Sequence, residues 1–354
     1  MNKAIVQLGG ARLSNFELLR LLCMLMVLNL HSFFGYKHGD GILQALDFFR
    51  ESTSICAVDT FILISGYFGI KWRKKGLFIL LFQVLFYSFS VYGFCVVSGI
   101  IQFDKGEFVR CFKAFYEGWG FITNYIILYF VSPCLNAFAE KQDKKQMLFF
   151  IIVFFVAENF IMRDAGALNF CLVYLIGRLI AKTGTERISQ YAGLGYTIAT
   201  FAIFICSYLS YRILHLGAEE MGDFFLGYSY ASPFIIVQAI FLFLLFSRLK
   251  IQSNLINWMA ASCLSIFLIH MHPAIKQIGY YGFTESLYDR PVLEHTITLL
   301  ALMAIVFFGA IIIDKVRIVI SNSTYWLLAK VFTKITSFSL FIDNFLLRIL
   351  GTSK

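Results

Sequence analysis

Long apolar runs, separated by short polar and basic segments, occupy almost the whole chain. A helix needs roughly 20 apolar residues to cross the bilayer core, so each long run predicts a transmembrane helix. There are about ten such runs, at residues 16–36, 53–70, 77–101, 120–138, 147–162, 167–181, 191–214, 231–247, 259–279 and 296–313. The pattern predicts an all-α, polytopic integral membrane protein in which residues 1–354 form a single transmembrane domain.

The segment after the tenth run has a different pattern. Residues 321–354 are polar and basic, with an apolar face over Tyr325–Leu350. This alternation predicts an amphipathic cytoplasmic tail that lies on the membrane surface. At the other end of the chain, no small-residue cleavage site follows the first apolar run, which predicts a retained helix rather than a cleaved signal peptide.

The composition agrees with these spans and leaves little room for soluble mass. Hydrophobic residues make up 59% of the chain and charged residues only 14%, whereas soluble domains are about 25% charged. The 41 Phe and 18 Tyr suit lipid and its interfaces. The eight Cys are scattered without disulfide-framework or metal-ligand spacing, so no metal site is predicted.

The net charge of +9 reports topology rather than nucleic-acid binding, because the basic residues lie in short loops between apolar spans. With the N-terminus placed in the cytoplasm, 21 of the 30 Lys and Arg fall on the cytoplasmic side and 9 on the outer side. This bias predicts a multi-pass protein of the inner (cytoplasmic) membrane with both termini in the cytoplasm.

Ionisable side chains inside the spans are costly and therefore mark candidate functional positions. Arg20 and His31 are eleven residues apart on the first span, which places them on one helix face about 16 Å apart along the axis. Asp59, on the second span, is expected at a depth similar to that of His31, where a carboxylate would orient the imidazole. The weaker candidates are Glu158, His270 and His272, for which structural roles are favoured.

Each candidate also has a structural interpretation. Arg20 is near enough to the inner interface to reach lipid phosphates. His31 alone is more typical of an interhelical hydrogen bond than of a catalyst. Asp59 fits a structural polar cluster equally well. The basic loop after the second span is explained as well by topology as by ligand binding.

Five stretches of the chain, in order, resemble the family 3 membrane acyltransferases. The segment NFELLRLLCMLMVLNLHSFFG is similar to the family's opening helix, in which a basic residue, ten intervening residues and a histidine recur; Arg20 and His31 fill those positions. AVDTFILISGYF is similar to the second-helix motif that ends in Ser65, Gly66 and Tyr67. The remaining three are WGFITNYIILYFVSPCLN, ASCLSIFLIHMHP and IIIDKVR.

The resemblance implies transfer of an acetyl or other short acyl group from cytosolic acetyl-CoA (acyl-CoA) to a hydroxyl of an extracytoplasmic or lipid-linked glycan, with membrane lipid around it. It implies that Arg20 and His31 are essential and that His31 is the base. The expected depth of Asp59 would let that carboxylate orient the base. Donor phosphates are expected on the basic loop, at Lys71, Arg73, Lys74 and Lys75. The family often has Arg-x-x-Arg here, whereas Lys71 and Lys74 occupy that spacing in this chain.

Two other functions fit the same pattern. A polytopic exporter of a lipid-linked sugar or small solute would use the buried Arg, His and Asp as a gate or proton relay. The chain does not have paired halves with matching broken helices, a feature that many transporters have. An inactive scaffold is the third alternative, and the presence of Arg20, His31 and Asp59 argues against it.

Overall fold

The computed structural model describes residues 13–35, 41–115, 119–162, 166–184, 186–217, 220 and 227–332, and every regular element within these ranges is helical. The predicted all-α class is therefore confirmed for the described part of the chain. The predicted tail lies partly outside it: residues 321–332 continue the last helix, and 333–354 are not among the described residues.

The helices follow one another with short connections. In chain order they are α1 Ser14–Leu30, α2 Gly41–Ser54, α3 Ala57–Phe68, α4 Lys74–Val97, α5 Lys105–Phe112, α6 Gly120–Lys141, α7 Lys144–Val156, α8 Gly166–Thr183, α9 Glu186–Ser189, α10 Ala192–Leu214, α11 Pro233–Ser247, α12 Asn254–Ala260, α13 Cys263–His270, α14 Tyr280–Glu285 and α15 Val292–Phe332. A π-helical turn, Ala157–Met162, extends α7, and a 3₁₀ turn, Ser286–Asp289, precedes α15.

Five of the described helices are long and apolar enough to cross a membrane: α4, α6, α8, α10 and residues 292–323 of α15. The length and apolar composition of these helices indicate a membrane protein. The count of about ten spans stays a prediction. Two predicted spans are interrupted. The span at 53–70 is interrupted at residues 55–56, between the end of α2 and the start of α3, and the one at 259–279 breaks after His270. Such breaks are tolerated at membrane depth where protein surrounds the backbone.

Helix α1 lies at the centre of the bundle, in contact with α2, α3, α11, α12, α13 and α15. Leu19, Cys23 and Leu28 on this helix are completely buried. The peripheral helices α4, α7, α10 and α15 instead expose many Phe, Ile, Leu and Val side chains. Most of the chain's large apolar excess therefore serves the lipid-facing surface, as expected where lipid replaces water as the solvent.

A close helix crossing joins α3 to α8 through two glycines. A Cβ atom added to Gly177 would lie 2.6 Å from the carbonyl oxygen of Leu63, and one added to Gly66 would collide with the carbonyl of Tyr174. Small residues at a crossing let two membrane helices approach backbone to backbone. Gly66, the central residue of the Ser-Gly-Tyr motif, is thus explained by packing.

A buried ion pair within α15 is joined to α4 by a tyrosine. Arg317 donates from Nε and Nη2 to the two carboxylate oxygens of Asp314, at 2.8 and 2.9 Å, and both residues are almost completely buried. The hydroxyl of Tyr87, on α4, donates to the same carboxylate at 2.7 Å. A charge in this apolar setting needs such pairing, because an unpaired one is strongly unfavourable.

The glycine crossing yields a stability prediction. We expect Gly177→Ala to destabilise the protein by about 1–3 kcal/mol, because the added methyl group meets backbone that cannot move aside. Gly93→Ala, on α4, is the matched control, since its Cβ meets no atom within 4 Å. Thermal unfolding of both variants in the same detergent is the measurement. Equal melting temperatures for Gly177→Ala and wild type would contradict the packing assignment.

Candidate active site

A cavity of about 1330 Å³ lies inside the bundle. Its walls come from α1, α3, the start of α4, α6, α8, residues 229–231 and the α12–α13 region. The lining is mixed: apolar side chains alternate with a small set of charged and amide groups. This is the usual character of a small-molecule site, which combines apolar area with a few placed polar groups.

Three cations line one end of the cavity: Arg20, Lys71 and Arg73. The start of α1, which carries Arg20, and the end of α3, which leads to Lys71 and Arg73, meet here. The ring of Phe16 on α1 packs 5.1 Å from that of Phe68 on α3. Arg20 also donates to Glu17 at 2.9 Å, and its side chain is 34% exposed. We call this the cationic end of the cavity.

The predicted basic loop is divided by the structure. All four side chains are exposed, but Lys71 and Arg73 line the cavity, whereas Lys74 and Lys75 lie outside the lining. Lys71 and Arg73 precede α4 in an extended segment, while Lys74 begins the helix itself. The change from extended to helical backbone therefore separates the two pairs.

The segment that carries Lys71 and Arg73 is held by side chains from α6 and α8. The hydroxyl of Tyr174 accepts from the backbone N–H of Ile70 at 2.8 Å and donates to Asn136 Oδ1 at 2.7 Å. Asn136 Nδ2 donates in turn to the carbonyl of Ile70 at 2.9 Å. The hydroxyl of Tyr129 lies 3.1 Å from both the N–H and the carbonyl oxygen of Arg73. These bonds fix the backbone before any ligand arrives.

His31 follows the last residue of α1 and lines the cavity, at the end away from the cations. It is eleven positions from Arg20 in the sequence, which corresponds to about 16 Å along a helix axis. Its Nδ1 atom lies 2.8 Å from Nε2 of His270, the last residue of α13. The sequence favoured a structural role for His270, and the sequence separation of 239 between the two histidines leaves no local signal of the contact.

Asp59 does not meet His31. It is fully buried, its Oδ1 accepts from Asn169 Nδ2 at 3.2 Å, and it is not among the described residues that line the cavity. The reason lies in the rotation of α3. Asp59 and Gly66 are seven residues apart and share a helix face to within about 20°, and that face is turned toward α8 by the glycine crossing. His270 occupies the position beside His31 that was expected for Asp59.

The wall near His31 is polar and includes two amide side chains. Asn124, Glu158, Asn169 and Tyr230 line it, and the two from α7–α8, Glu158 and Asn169, are at least 95% buried. This wall adjoins the histidine end through α6, because the ring of Phe121 packs 5.7 Å from that of Phe267, which in turn lies 6.1 Å from that of His31. We call it the amide wall.

The π-helical turn shapes this wall. Asn159, within the turn, donates from Nδ2 to the carbonyl oxygens of Phe155 and Ala231, at 3.0 and 3.1 Å. The second bond ties the turn to the 229–231 segment, which also lines the cavity. Single π-helical turns are frequent at functional sites, and the sequence pattern of span five did not reveal this one.

The structure also places His272, a predicted candidate, and Lys276, which the sequence did not suggest. His272 lies 3.0 Å from the carbonyl oxygen of Ser88 through its Nε2 and joins α4 to the end of α13, in keeping with a structural role. Lys276 lines the cavity within electrostatic range of His31 and was not singled out in the sequence. Among the described residues, no group of three or more His, Cys, Asp and Glu is arranged to hold a metal ion.

Together these features define a helical membrane protein with a polar, partly charged cavity inside its bundle. The model of the acyltransferase-3 family, described as Acyltransferase domain, matches residues 13–315, and the chain belongs to this family. The resemblance seen in the five sequence stretches is thereby confirmed, and the chain is a membrane acyltransferase. No curated protein and no solved structure matches it.

Proposed function

We propose that this protein transfers an acetyl or other short acyl group from cytosolic acyl-CoA to a hydroxyl of an extracytoplasmic or lipid-linked glycan. The observation that carries the proposal is a single cavity with three cations at one end and His31 at the other. An enzyme that receives its donor from one side of a membrane and its acceptor from the other needs such a continuous path.

The cationic end suits the donor. Acyl-CoA carries its phosphates at one end and its thioester at the other, joined by an extended pantetheine arm. The positive charge that phosphates require comes from Arg20, Lys71 and Arg73. The guanidinium of Arg73 is also a planar, bidentate donor, whereas the ammonium group of Lys74 is not. A separation of about 16 Å along α1 leaves room for the arm between phosphates and His31.

His31 supplies the base for the chemical step. Its unprotonated ring nitrogen takes the proton of the acceptor hydroxyl while the hydroxyl oxygen attacks the thioester carbonyl carbon. The carbon–sulfur bond then breaks, and the CoA sulfur leaves with the proton that His31 returns. Lys276 is the cation on the lining near His31, and we assign it to the negative charge that develops on the carbonyl oxygen.

The amide wall suits the acceptor. Asn124, Glu158 and Asn169 offer donors and acceptors of the kind that sugar hydroxyls match, and Tyr230 offers an aromatic face. Asp59 supports this wall through its hydrogen bond from Asn169. In the proposed topology, with both termini in the cytoplasm, this wall opens toward the outer side of the inner membrane.

The exporter alternative differs in one measurable property. An exporter moves its solute without breaking a thioester bond, whereas the proposed enzyme releases one free CoA thiol for each acyl group transferred. Purified protein in detergent, supplied with acetyl-CoA and candidate glycans, is assayed for thiol release and for acetylated glycan by mass spectrometry. Solute movement without thiol release in reconstituted vesicles would favour the exporter.

His31→Gln gives the sharpest test of the base. Glutamine retains hydrogen bonding but has no basic nitrogen, so we expect turnover to fall roughly 10²–10⁴-fold. Expression and thermal stability are expected to stay close to wild type, since interhelical hydrogen bonds in membranes average about 0.6 kcal/mol. Retention of most of the transfer activity would move the base to Glu158 or His270.

The divided basic loop yields a matched pair of variants. Lys71→Gln/Arg73→Gln removes two charges from the cavity lining, and Lys74→Gln/Lys75→Gln removes two from outside it. We expect the first pair to weaken the apparent affinity for acyl-CoA by at least about tenfold, since each charge-assisted hydrogen bond contributes about 1.5–3 kcal/mol. The second pair should change affinity far less. Equal losses would mean that the loop attracts the donor only by its net charge.

A further inference from the structure

We infer that His270 is a positioning residue that holds His31 in the tautomer with its free lone pair directed at the cavity. The inference deepens the proposed function and rests on it, because the assigned base is His31. Its foundation is a chain of two hydrogen bonds that ends on a backbone carbonyl.

The chain begins at α13. Nδ1 of His270 lies 2.5 Å from the carbonyl oxygen of Ile266, one turn earlier on the same helix. A carbonyl oxygen can only accept, so Nδ1 must carry the hydrogen atom. In a neutral imidazole the other nitrogen is then unprotonated, which makes Nε2 of His270 a hydrogen-bond acceptor.

The second bond follows from the first. Nε2 of His270 lies 2.8 Å from Nδ1 of His31, and because Nε2 of His270 accepts, Nδ1 of His31 must donate. The remaining nitrogen of His31, Nε2, therefore has the free lone pair. His31 lines the cavity, whereas His270 is 97% buried and is not part of the described lining. The basic nitrogen is thus the one left for the acceptor hydroxyl.

Neighbouring aromatic rings hold His270 in this orientation. The ring of Tyr280 packs edge-on against it at 5.3 Å, and the ring of Phe267 does so at 6.0 Å. The hydroxyl of Tyr280 donates to the carbonyl of Leu28 on α1 at 2.8 Å. This contact fixes α13 and α14 against the end of the helix that carries His31. His270 acts on the reaction through His31 and does not touch the substrate.

The hydrogen bond to His270 also stabilises the protonated, positively charged form of His31 that arises during the reaction. When His31 Nε2 takes the hydroxyl proton, the ring becomes a cation with a donor at each nitrogen. Nδ1 already donates to the lone pair of His270, so the positive charge meets an oriented acceptor without rearrangement. In the Ser-His-Asp triad a carboxylate fills this position; here a neutral imidazole fills it and introduces no further buried charge.

The test uses two variants of similar shape. In His270→Gln the side-chain amide oxygen can accept from His31 Nδ1, whereas in His270→Met no comparable acceptor is present. Both residues favour helices, so both variants should fold, with thermal unfolding in detergent as the check. We expect His270→Gln to keep turnover within about tenfold of wild type, and His270→Met to lose roughly 10²–10⁴-fold in kcat. The KM for acyl-CoA should stay unchanged in both variants.

A purely structural His270 predicts a different result. The two variants would then lose activity in proportion to their loss of stability, and Gln would have no advantage over Met. That outcome, or a loss confined to KM, would overturn the inference.

A second measurement does not depend on activity. Nitrogen-15 NMR of histidine-labelled protein distinguishes a protonated ring nitrogen from a bare one, and His31→Gln identifies the signals of His31. We expect wild-type His31 to be protonated at Nδ1 and His270→Met to lose this preference. If no acceptor is ever acylated, the proposed function fails while this tautomer assignment still stands or falls on its own. A wild-type His31 protonated at Nε2 would refute it.

Discussion

A polar side chain within an apolar bundle is costly unless it finds a partner inside the protein, and the central helix α1 shows how this constraint shapes the site. Arg20 pairs with Glu17, Asn29 donates to the carbonyl of Arg50 and to Ser54, and His31 pairs with His270. Each of these bonds satisfies a group that would otherwise be costly in the membrane. The two longer-range pairings bring α2 and α13 onto the end of α1 and so define the histidine end of the cavity.

Much of the architecture could be predicted from hydrophobic runs, because span length is fixed by bilayer thickness. The run at 167–181 corresponds to Gly166–Thr183, and that at 191–214 to Ala192–Leu214. Hydropathy reports which residues are apolar and not how the backbone is hydrogen-bonded, so it did not predict the π-helical turn after α7. It also missed the end of α13 at His270, three residues before Pro273, a residue that cannot continue a helix.

The site was predictable where it depends on one helix and not where it depends on helix rotation. The eleven-residue spacing of Arg20 and His31 predicts a shared face, and both residues line the cavity. The direction of Asp59 is decided instead by Gly66 and Gly177, which turn that face of α3 toward α8. The partnership of His31 with His270 joins residues that are distant in the sequence, so no local periodicity predicts it.

The central claim is that one cavity connects a donor at its cationic end with an acceptor at its histidine end, on opposite sides of the membrane. The most direct measurement uses sealed proteoliposomes in which the loop containing Lys74 faces the lumen, with radiolabelled acetyl-CoA trapped inside and a glycan acceptor only outside. The account predicts labelled glycan outside, and none from vesicles carrying His31→Gln, which also serve as the control for leakage. Acylation that occurs only when donor and acceptor share one compartment would contradict the account.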